Sequence, residues 1–324
     1  MEYGQESRLD ASDRGSAGMS ETVNIEGKVI EIRRPKSPKE YQEIVRAQME
    51  TWGMRDATTV VSHHMLIAAD RRGGLVLGAF EKDTGRVVGF CFGILARAPD
   101  GRLYHYSHMT GVIPEYRYKG LGFHIKLKQR EHVIRQGLDL ISWTYDPLQA
   151  ANAKFNVCKL GAIVRRFYID YYGELTDSIN YGMPTDRFEA EWWIKSRLVE
   201  MKVSGQYACP PLESILDMGG RFATKSELVG EYRVLRECSL AEGSPLLLVE
   251  IPEDLNALRG SSNVLMEWRI KLRELFEHYI NKEGYVVAEV VTAKGADSRR
   301  VLYLLWRGDV ERLLEGEVPW RSKG

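Results

Sequence analysis

Val112-Ile113-Pro114-Glu115-Tyr116-Arg117-Tyr118-Lys119-Gly120-Leu121-Gly122 is the stretch on which the fold turns. It separates a β-rich run from a run with helical spacing. Gly120 and Gly122 let the backbone turn tightly and approach a ligand with no Cβ in the way. The helix that follows leaves its first N–H groups unpaired and carries partial positive charge at that end. Together these features suit an anion such as a pyrophosphate, and Arg117 and Lys119 add charge. An ordinary strand–turn–helix with a glycine-rich turn is the plain alternative. Other phosphate loops fit worse, because a Rossmann fingerprint wants glycine where this chain has Ile125, and a Walker Gly-Lys-Ser/Thr occurs nowhere.

Working upstream, Leu103–Ile113, Val87–Ala96 and Leu75–Phe80 read as three strands. Asp83-Thr84-Gly85 and Pro99-Asp100-Gly101 supply turn chemistry between them. Before them lie a strand at Val29–Arg33, a helix at Lys39–Trp52 opened by Pro38, and a helix at Val61–Arg71 stopped by Gly73-Gly74. Residues 1–25 mix charge with Gly and Ser and read as a disordered tail.

Downstream, a helix is expected from Leu121 to Gln136, closed by Gly137, with Phe123, Leu127, Ile134 and Leu138 facing inward. Leu138–Tyr145 reads as a strand, Ala150–Lys159 as a helix and Ala162–Tyr168 as a strand. A β–α–β–α–β tail on an antiparallel meander predicts an α/β (α+β) fold. Its sheet is mixed and mostly antiparallel, with helices on both faces.

Past Tyr172 the pattern is broken by Pro184, Pro210, Pro211 and Gly219-Gly220. Leu246–Ile251 has the composition of a buried strand. Leu265, Trp268, Leu272, Leu275 and Tyr279 recur at steps of three and four, as on an amphipathic helix. Val286–Val291 and Val301–Trp306 read as strands around a polar loop, Ala293–Arg299. The expected division is 26–172 for the first domain and 173–324 for a C-terminal α+β half.

Composition excludes several classes. The 45 basic and 45 acidic residues balance, whereas a dedicated nucleic-acid binder carries a basic surplus. No apolar run reaches the length of a bilayer span, so no membrane partner is expected. Cys91, Cys158, Cys209 and Cys238 stand far apart with no Cys-x-x-Cys pair. Neither a zinc site nor a redox motif is read from them, and a reducing cytoplasm is the expected compartment.

Arg117-Tyr118-Lys119-Gly120-Leu121-Gly122, preceded by Val112-Ile113-Pro114-Glu115-Tyr116, resembles the Gln/Arg-x-x-Gly-x-Gly/Ala signature of the GNAT N-acetyltransferase superfamily. Asn152-Ala153 and Lys159-Leu160-Gly161 resemble that superfamily's second helix and its exit. Trp143 to Leu148, Asp186-Arg187-Phe188 and Trp268-Arg269 resemble a subgroup of long, poorly characterised acetyltransferases. The resemblance to the superfamily covers about residues 28–170.

The resemblance implies acetyl-CoA or another acyl-CoA as cosubstrate and no metal. Thr110, Gly111 and Val112 would offer backbone groups to the pantetheine arm. Arg117, Lys119, Gly120, Leu121 and Gly122 would hold the pyrophosphate, and Asn152 would contact the cofactor. The acyl-CoA is expected in the gap between the Leu103–Ile113 and Leu138–Tyr145 strands.

Two departures bear on catalysis. His108 stands where many relatives place a glutamate base, and Val157 where many place a tyrosine acid. An imidazole can accept the proton of an ammonium near neutral pH, although a strand histidine can equally be structural. His105 and His108 are an odd number of residues apart, which puts them on opposite strand faces and weakens a metal pair. Tyr145 or Tyr168 could replace the missing acid. Asp146 sits at a strand end where ligands gather, or is plain turn chemistry with Pro147. Asp186, Arg187 and Trp192 line an acceptor pocket in one reading and form a salt-bridged surface helix with a core Trp in the other.

The expected function is acyl transfer from acyl-CoA to the amine of a small molecule such as an amino-acid derivative. The alternative is a catalytically degenerate acyl-CoA-binding module. A homodimer is left open.

Overall fold

The three β-rich runs before the glycine motif form adjacent antiparallel strands in a computed structural model, which describes residues 20–54, 60–173, 183–258, 261–294 and 299–320. The chain divides into two compact units, 1–138 and 139–324. The division expected at 172/173 falls inside the second unit, because the strand before it pairs with strands after it.

The first unit runs β1 (Glu21–Ile25), β2 (Lys28–Arg33), α1 (Pro38–Trp52), α2 (His63–Arg71), β3 (Leu75–Glu81), β4 (Val87–Arg97), β5 (Leu103–Val112) and α3 (Leu121–Arg135). Its five strands pair antiparallel in chain order. Ser37 caps α1 by accepting from the Glu40 N–H at 3.4 Å, and Pro38 occupies the first turn, where it removes no needed donor. Successive strand residues face opposite sides. A Cβ on Gly89 would meet Ile125 and Leu121 of α3, while neighbouring Phe90 packs edge-on against Trp52 of α1. The helices α1 and α3 therefore cover opposite faces of this sheet.

Two expectations are corrected here. Residues 21–25 of the supposed tail are β1, folded back on β2 through Glu26-Gly27, with the Gly27 N–H donating to Asn24 Oδ1 at 2.8 Å; residues 1–19 lie outside the described residues. The buried face of α3 is Leu121, Ile125, Lys126, Gln129, His132 and Val133, not the expected Phe123, Leu127, Ile134 and Leu138 stripe. Hydrophobicity misplaced the stripe because half of the buried face is polar.

The second unit contains β6 (Leu140–Tyr145), α4 (Ala150–Ala153) running into a π-helical stretch Lys154–Lys159, β7 (Ile163–Tyr168), β8 (Arg187–Trp193), α5 (Arg197–Val203), α6 (Leu212–Asp217) and β9 (Arg221–Phe222). It continues with β10 (Thr224–Val229), β11 (Tyr232–Cys238), β12 (Leu246–Ile251), α7 (Leu255–Leu258), α8 (Ser262–Phe276) prolonged by a π-helical stretch Glu277–Lys282, β13 (Val286–Lys294), β14 (Arg299–Trp306) and α9 (Val310–Leu314). Its sheet has the order β6-β8-β7-β13-β14-β12-β9, while β10 and β11 make a separate hairpin. Pairing is antiparallel except between β9 and β12. The expected amphipathic helix is α8, whose Leu265, Trp268, Leu272 and Leu275 are all buried, as is Tyr279 just beyond it. Part of the expected Ala293–Arg299 loop, residues 295–298, lies outside the described residues. No helix among the described residues is long and apolar enough to cross a membrane.

Candidate functional site

The glycine motif begins as a single tight turn, Pro114–Tyr116, anchored from below. Tyr116 is buried and its hydroxyl donates to Glu81 Oε1 at 2.7 Å. Bonds from Thr84, Tyr116 and Lys28 hold the Glu81 carboxyl down to about 2. Above this base the chain turns left-handed twice, at Tyr118 (φ +61°) and Gly120 (φ +89°). Gly120 has open space where a Cβ would stand, and Tyr118 is 91% exposed. Among the described residues, no N–H of residues 118–122 donates to another backbone group. These N–H groups stand at the positive end of α3, where a helix terminus favours negative charge.

The side chains of the motif contribute less than expected. Arg117 was expected on the cofactor, but its Nε donates to the Val112 carbonyl at 3.1 Å and its terminal nitrogen to the Thr51 carbonyl. It ties the C-terminal end of α1, where carbonyls lack helical partners, to the motif. Lys119 ion-pairs with Glu26 at 2.6 Å on the surface. With both cationic side chains engaged elsewhere, the donors left at the loop are its backbone N–H groups.

His108, Thr110, Gly111 and Val112 lie on β5, which bulges at Ser107-His108. Phe92 pairs with Met109 but Ile94 pairs with Tyr106, so Ser107 and His108 together oppose Gly93. A Cβ on Gly93 would stand 2.2 Å from His105 Nε2, so this position tolerates only glycine. Such a bulge re-aims side chains. His105 and Ser107 are buried toward α3, while His108 lies exposed beside Phe92 and Tyr106, with ring centroids at 5.7 and 6.2 Å. His108 is at the surface by area, yet enough protein surrounds the ring for desolvation to lower its pKa from 6.5. No hydrogen bond joins it to another described residue. The two histidines do fall on opposite faces. Gly111 packs so closely on Phe90 and Thr51 that a Cβ there would clash at 2.8–2.9 Å, and the buried Thr110 Oγ1 has no hydrogen-bond partner among the described residues.

Under β5 lies a polar cluster that hydropathy could not show. Lys126 Nζ donates to Gln129 Oε1 at 2.6 Å and to Ser107 Oγ at 3.3 Å, and Gln129 Nε2 lies 3.1 Å from His105 Nε2. Burial lowers Lys126 from 10.5 to about 8 and His105 from 6.5 to about 3. For Lys126 the folded value lies below the unfolded one, so the unfolded chain binds the proton more readily between the two. Its contribution to stability must rise as pH climbs from about 8 toward 10.5. Lys126→Met should abolish that rise. In urea denaturation, the stability of wild type relative to the variant should increase between about pH 7 and about pH 9.5; a constant difference would contradict a lowered lysine.

The remaining expected site residues belong to the second unit. Asn152 is exposed on α4. Val157, at the acid position of the resemblance, is fully buried, and its carbonyl accepts from Lys202 Nζ at 2.9 Å. Tyr145 is buried edge-on to Phe188 at 5.8 Å, and burial pushes its phenol well above 10.0. Tyr168 donates to Glu189 Oε2 at 2.8 Å.

Asp146, Asp186 and Arg187 were expected to bind substrate, and the structure commits all three internally. Asp146 receives a two-pronged bond from Arg269 at 2.7 and 2.8 Å, plus the Leu148 N–H at 2.9 Å. Asp186 receives a second fork from Arg273 at 2.8 and 3.0 Å, and the Asp170 N–H at 3.0 Å. Arg187 is buried, donates to the Asp186 carbonyl at 3.2 Å and lies over the Tyr172 ring at 5.5 Å. Trp192 is a core residue of β8, its indole N–H bonded to the Leu160 carbonyl at 2.6 Å. Sequence reasoning named Arg269 only within the Trp268-Arg269 resemblance, with no role, and did not name Arg273, so the two arginines that do the holding were not read as a pair. Their signal was a charged pair four residues apart on an apolar helix, hence on one face of α8.

No protein-family model and no curated protein matches the sequence. Among solved structures, the chain is similar to Naa20 of Chaetomium thermophilum in complex with a bisubstrate analogue, at 16% identity and TM-score 0.40, over 49% of this chain and 84% of that one. It is also similar to Naa50 of Arabidopsis thaliana in complex with a bisubstrate analogue, at 17% identity and TM-score 0.39, over 50% and 97% of the two chains. A GNAT-family acetyltransferase from Streptococcus pneumoniae is similar at 16% identity and TM-score 0.40, over 50% and 98%.

Proposed function

We propose that the chain binds an acyl-CoA at Thr110–Val112 and Tyr118–Gly122 and transfers the acyl group to an amine. The observation that carries this reading is the run of backbone N–H groups without backbone partners from Tyr118 to Gly122, set at the head of α3 by two left-handed residues. A pyrophosphate is the anion of matching size and charge, since it can accept several N–H donors at once. Backbone groups of Thr110, Gly111 and Val112 would pair with the pantetheine arm. The Val112 N–H would polarise the thioester carbonyl.

The amine nitrogen attacks the thioester carbon, the C–S bond breaks, and coenzyme A leaves as a thiolate. His108 takes the proton from the nitrogen. A thiol with an ordinary pKa of about 8.5 departs readily as its anion, so the reaction does not depend on an acid at Val157 or on the buried Tyr145. A small-molecule amine such as an amino-acid derivative is the acceptor in this proposal.

A second reading, an acyl-CoA-binding module without turnover, is favoured by the apolar, buried Val157. Thiol release separates the two. Several acyl-CoAs would be incubated with a panel of amino-acid derivatives, polyamines and short peptides. Enzyme-dependent release with a free small amine supports the proposal, and release only with peptides moves the acceptor to protein N-termini. Coenzyme A binding with no release from any pair would establish the binding module.

A further inference from the structure

We propose that Cys158, Cys209 and Glu289 bind one thiophilic divalent cation of the zinc class. The three come from distant points of the second unit. Cys158 lies in the π-helical stretch after α4, Cys209 in the segment before α6, and Glu289 on β13 next to a bulge where the register with β14 shifts. Their two sulfurs and a carboxylate oxygen lie within 4.8 Å of one another. Tetrahedral zinc with sulfur bonds of about 2.3 Å needs its ligand atoms roughly 3.8 Å apart. The observed cluster therefore needs only a small contraction.

The surroundings are those of a supported ligand set. Lys202 Nζ donates to Glu289 Oε2 at 2.7 Å, with both side chains wholly buried. That fixes the carboxylate, whose Oε1 accepts the Val290 N–H at 3.1 Å and lies 3.5 Å from Cys209 Sγ. Outer contacts of this kind orient metal ligands. Beside the cluster is a cavity of about 380 Å³ lined by Lys154, Cys158, Cys209, Pro210, Pro211 and Val290 among others. The two cysteines of the cluster line that cavity, which leaves room for a fourth ligand, as in zinc sites that bind a water or a small ligand.

Charge balance favours a dication. With both thiols protonated, the Glu289 carboxylate and the Lys202 ammonium cancel. When a cation enters, two S–H bonds break, two protons go to water and two sulfur–metal bonds form; nothing is oxidised or reduced. Two thiolates and one carboxylate then balance the dication and the ammonium. The charge summed over the three ligands, Lys202 and the cation is zero before and after, so the exchange adds no net charge to the cluster.

The test uses the full-length chain, reduced and handled without oxygen, titrated with cobalt(II) as a spectroscopic stand-in for zinc. The expected result is one cobalt per chain, a thiolate-to-cobalt charge-transfer band and release of two protons per metal. Cys209→Ser, at an exposed position, should weaken uptake by at least about tenfold, the lower end of what losing even a ligand-supporting contact costs. Cys238→Ser, away from the cluster, should leave the band intact. Absence of the band in the reduced wild type, or its survival in Cys209→Ser, would overturn the site. So would mass spectrometry showing a Cys158–Cys209 disulfide formed in preference to metal binding.

Discussion

Arg269→Ala is expected to destabilise the protein by about 3–5 kcal/mol, because it strands the Asp146 carboxylate without its charge partner in the interior. Asp146 sits just past β6, and Arg269 is 4% exposed on α8, so the fork between them spans two elements of one unit. Burial alone would raise the Asp146 pKa; Arg269 outweighs it, and the carboxyl is held below 3.8. A carboxyl lowered by folding contributes stability above its unfolded value and loses it as pH falls through the folded one. The difference between wild type and Arg269→Ala should therefore be full near neutral pH and shrink as pH falls, first as the variant's unpaired carboxyl, raised by burial, takes up a proton, and then through the lowered wild-type value below 3.8. The double variant Asp146→Leu/Arg269→Met should recover much of the loss, since an apolar pair leaves no buried charge. A single-variant cost under about 1 kcal/mol, the range of exposed ion pairs, would show that the pair is not buried in solution.

His108→Ala is expected to lower kcat/KM for the amine by at least about 100-fold, the lower end of what a positioned general base supplies. Coenzyme A affinity should change little, since the imidazole lies on β5 before the residues assigned to the cofactor. The ring is partly desolvated and its pKa falls below 6.5, so the neutral base persists to lower pH than in free histidine. The acid limb of kcat/KM should accordingly lie below 6.5 in wild type and vanish in the alanine variant. His108→Glu should restore part of the rate and move the limb toward the carboxylate range, about 4.3. A fully active His108→Ala enzyme would make the imidazole a packing residue beside Phe92 and Tyr106.

The sequence was most legible where local chemistry decides structure. The change to β-rich runs at Leu75, the proline and glycine turns, and the proline-led start of α1 are set by neighbours in the chain, and they mark the elements within a few residues. The glycine motif was legible for the same reason, since Gly120 adopts the left-handed conformation its residue type permits. That non-glycine Tyr118 does so as well was not legible.

What failed depends on partners distant in sequence. The inward face of α3 was misplaced because Lys126 and Gln129 are buried by bonds to Ser107 and His105 of β5. β8 was not recognised because Glu189 and Glu191 break its apolar run. In the fold those carboxylates are held by Ser142, Tyr168 and Arg165. Asp146 looked like a ligand for the reason that makes it structural, being a carboxylate beside a strand end, and the arginines that occupy it and Asp186 arrive from α8. Cys158 and Cys209 show no spacing pattern, and β13 brings the third member of their cluster from still further along the chain.

Calorimetric titration of coenzyme A tests the proposed cofactor loop most directly. Gly120→Asp places a carboxylate in the open space at the centre of the N–H run. Gly137→Asp is its control, because Gly137 has a similar φ of +79° and equally open surroundings but lies beyond the other end of α3. Wild type and Gly137→Asp should bind one coenzyme A with similar affinity. Gly120→Asp, folded by circular dichroism, should bind at least about 30-fold more weakly, as expected from losing about 2–4 kcal/mol of charge-assisted bonding. Unchanged affinity in a folded Gly120→Asp, or no binding by wild type, would contradict a pyrophosphate site at Tyr118–Gly122.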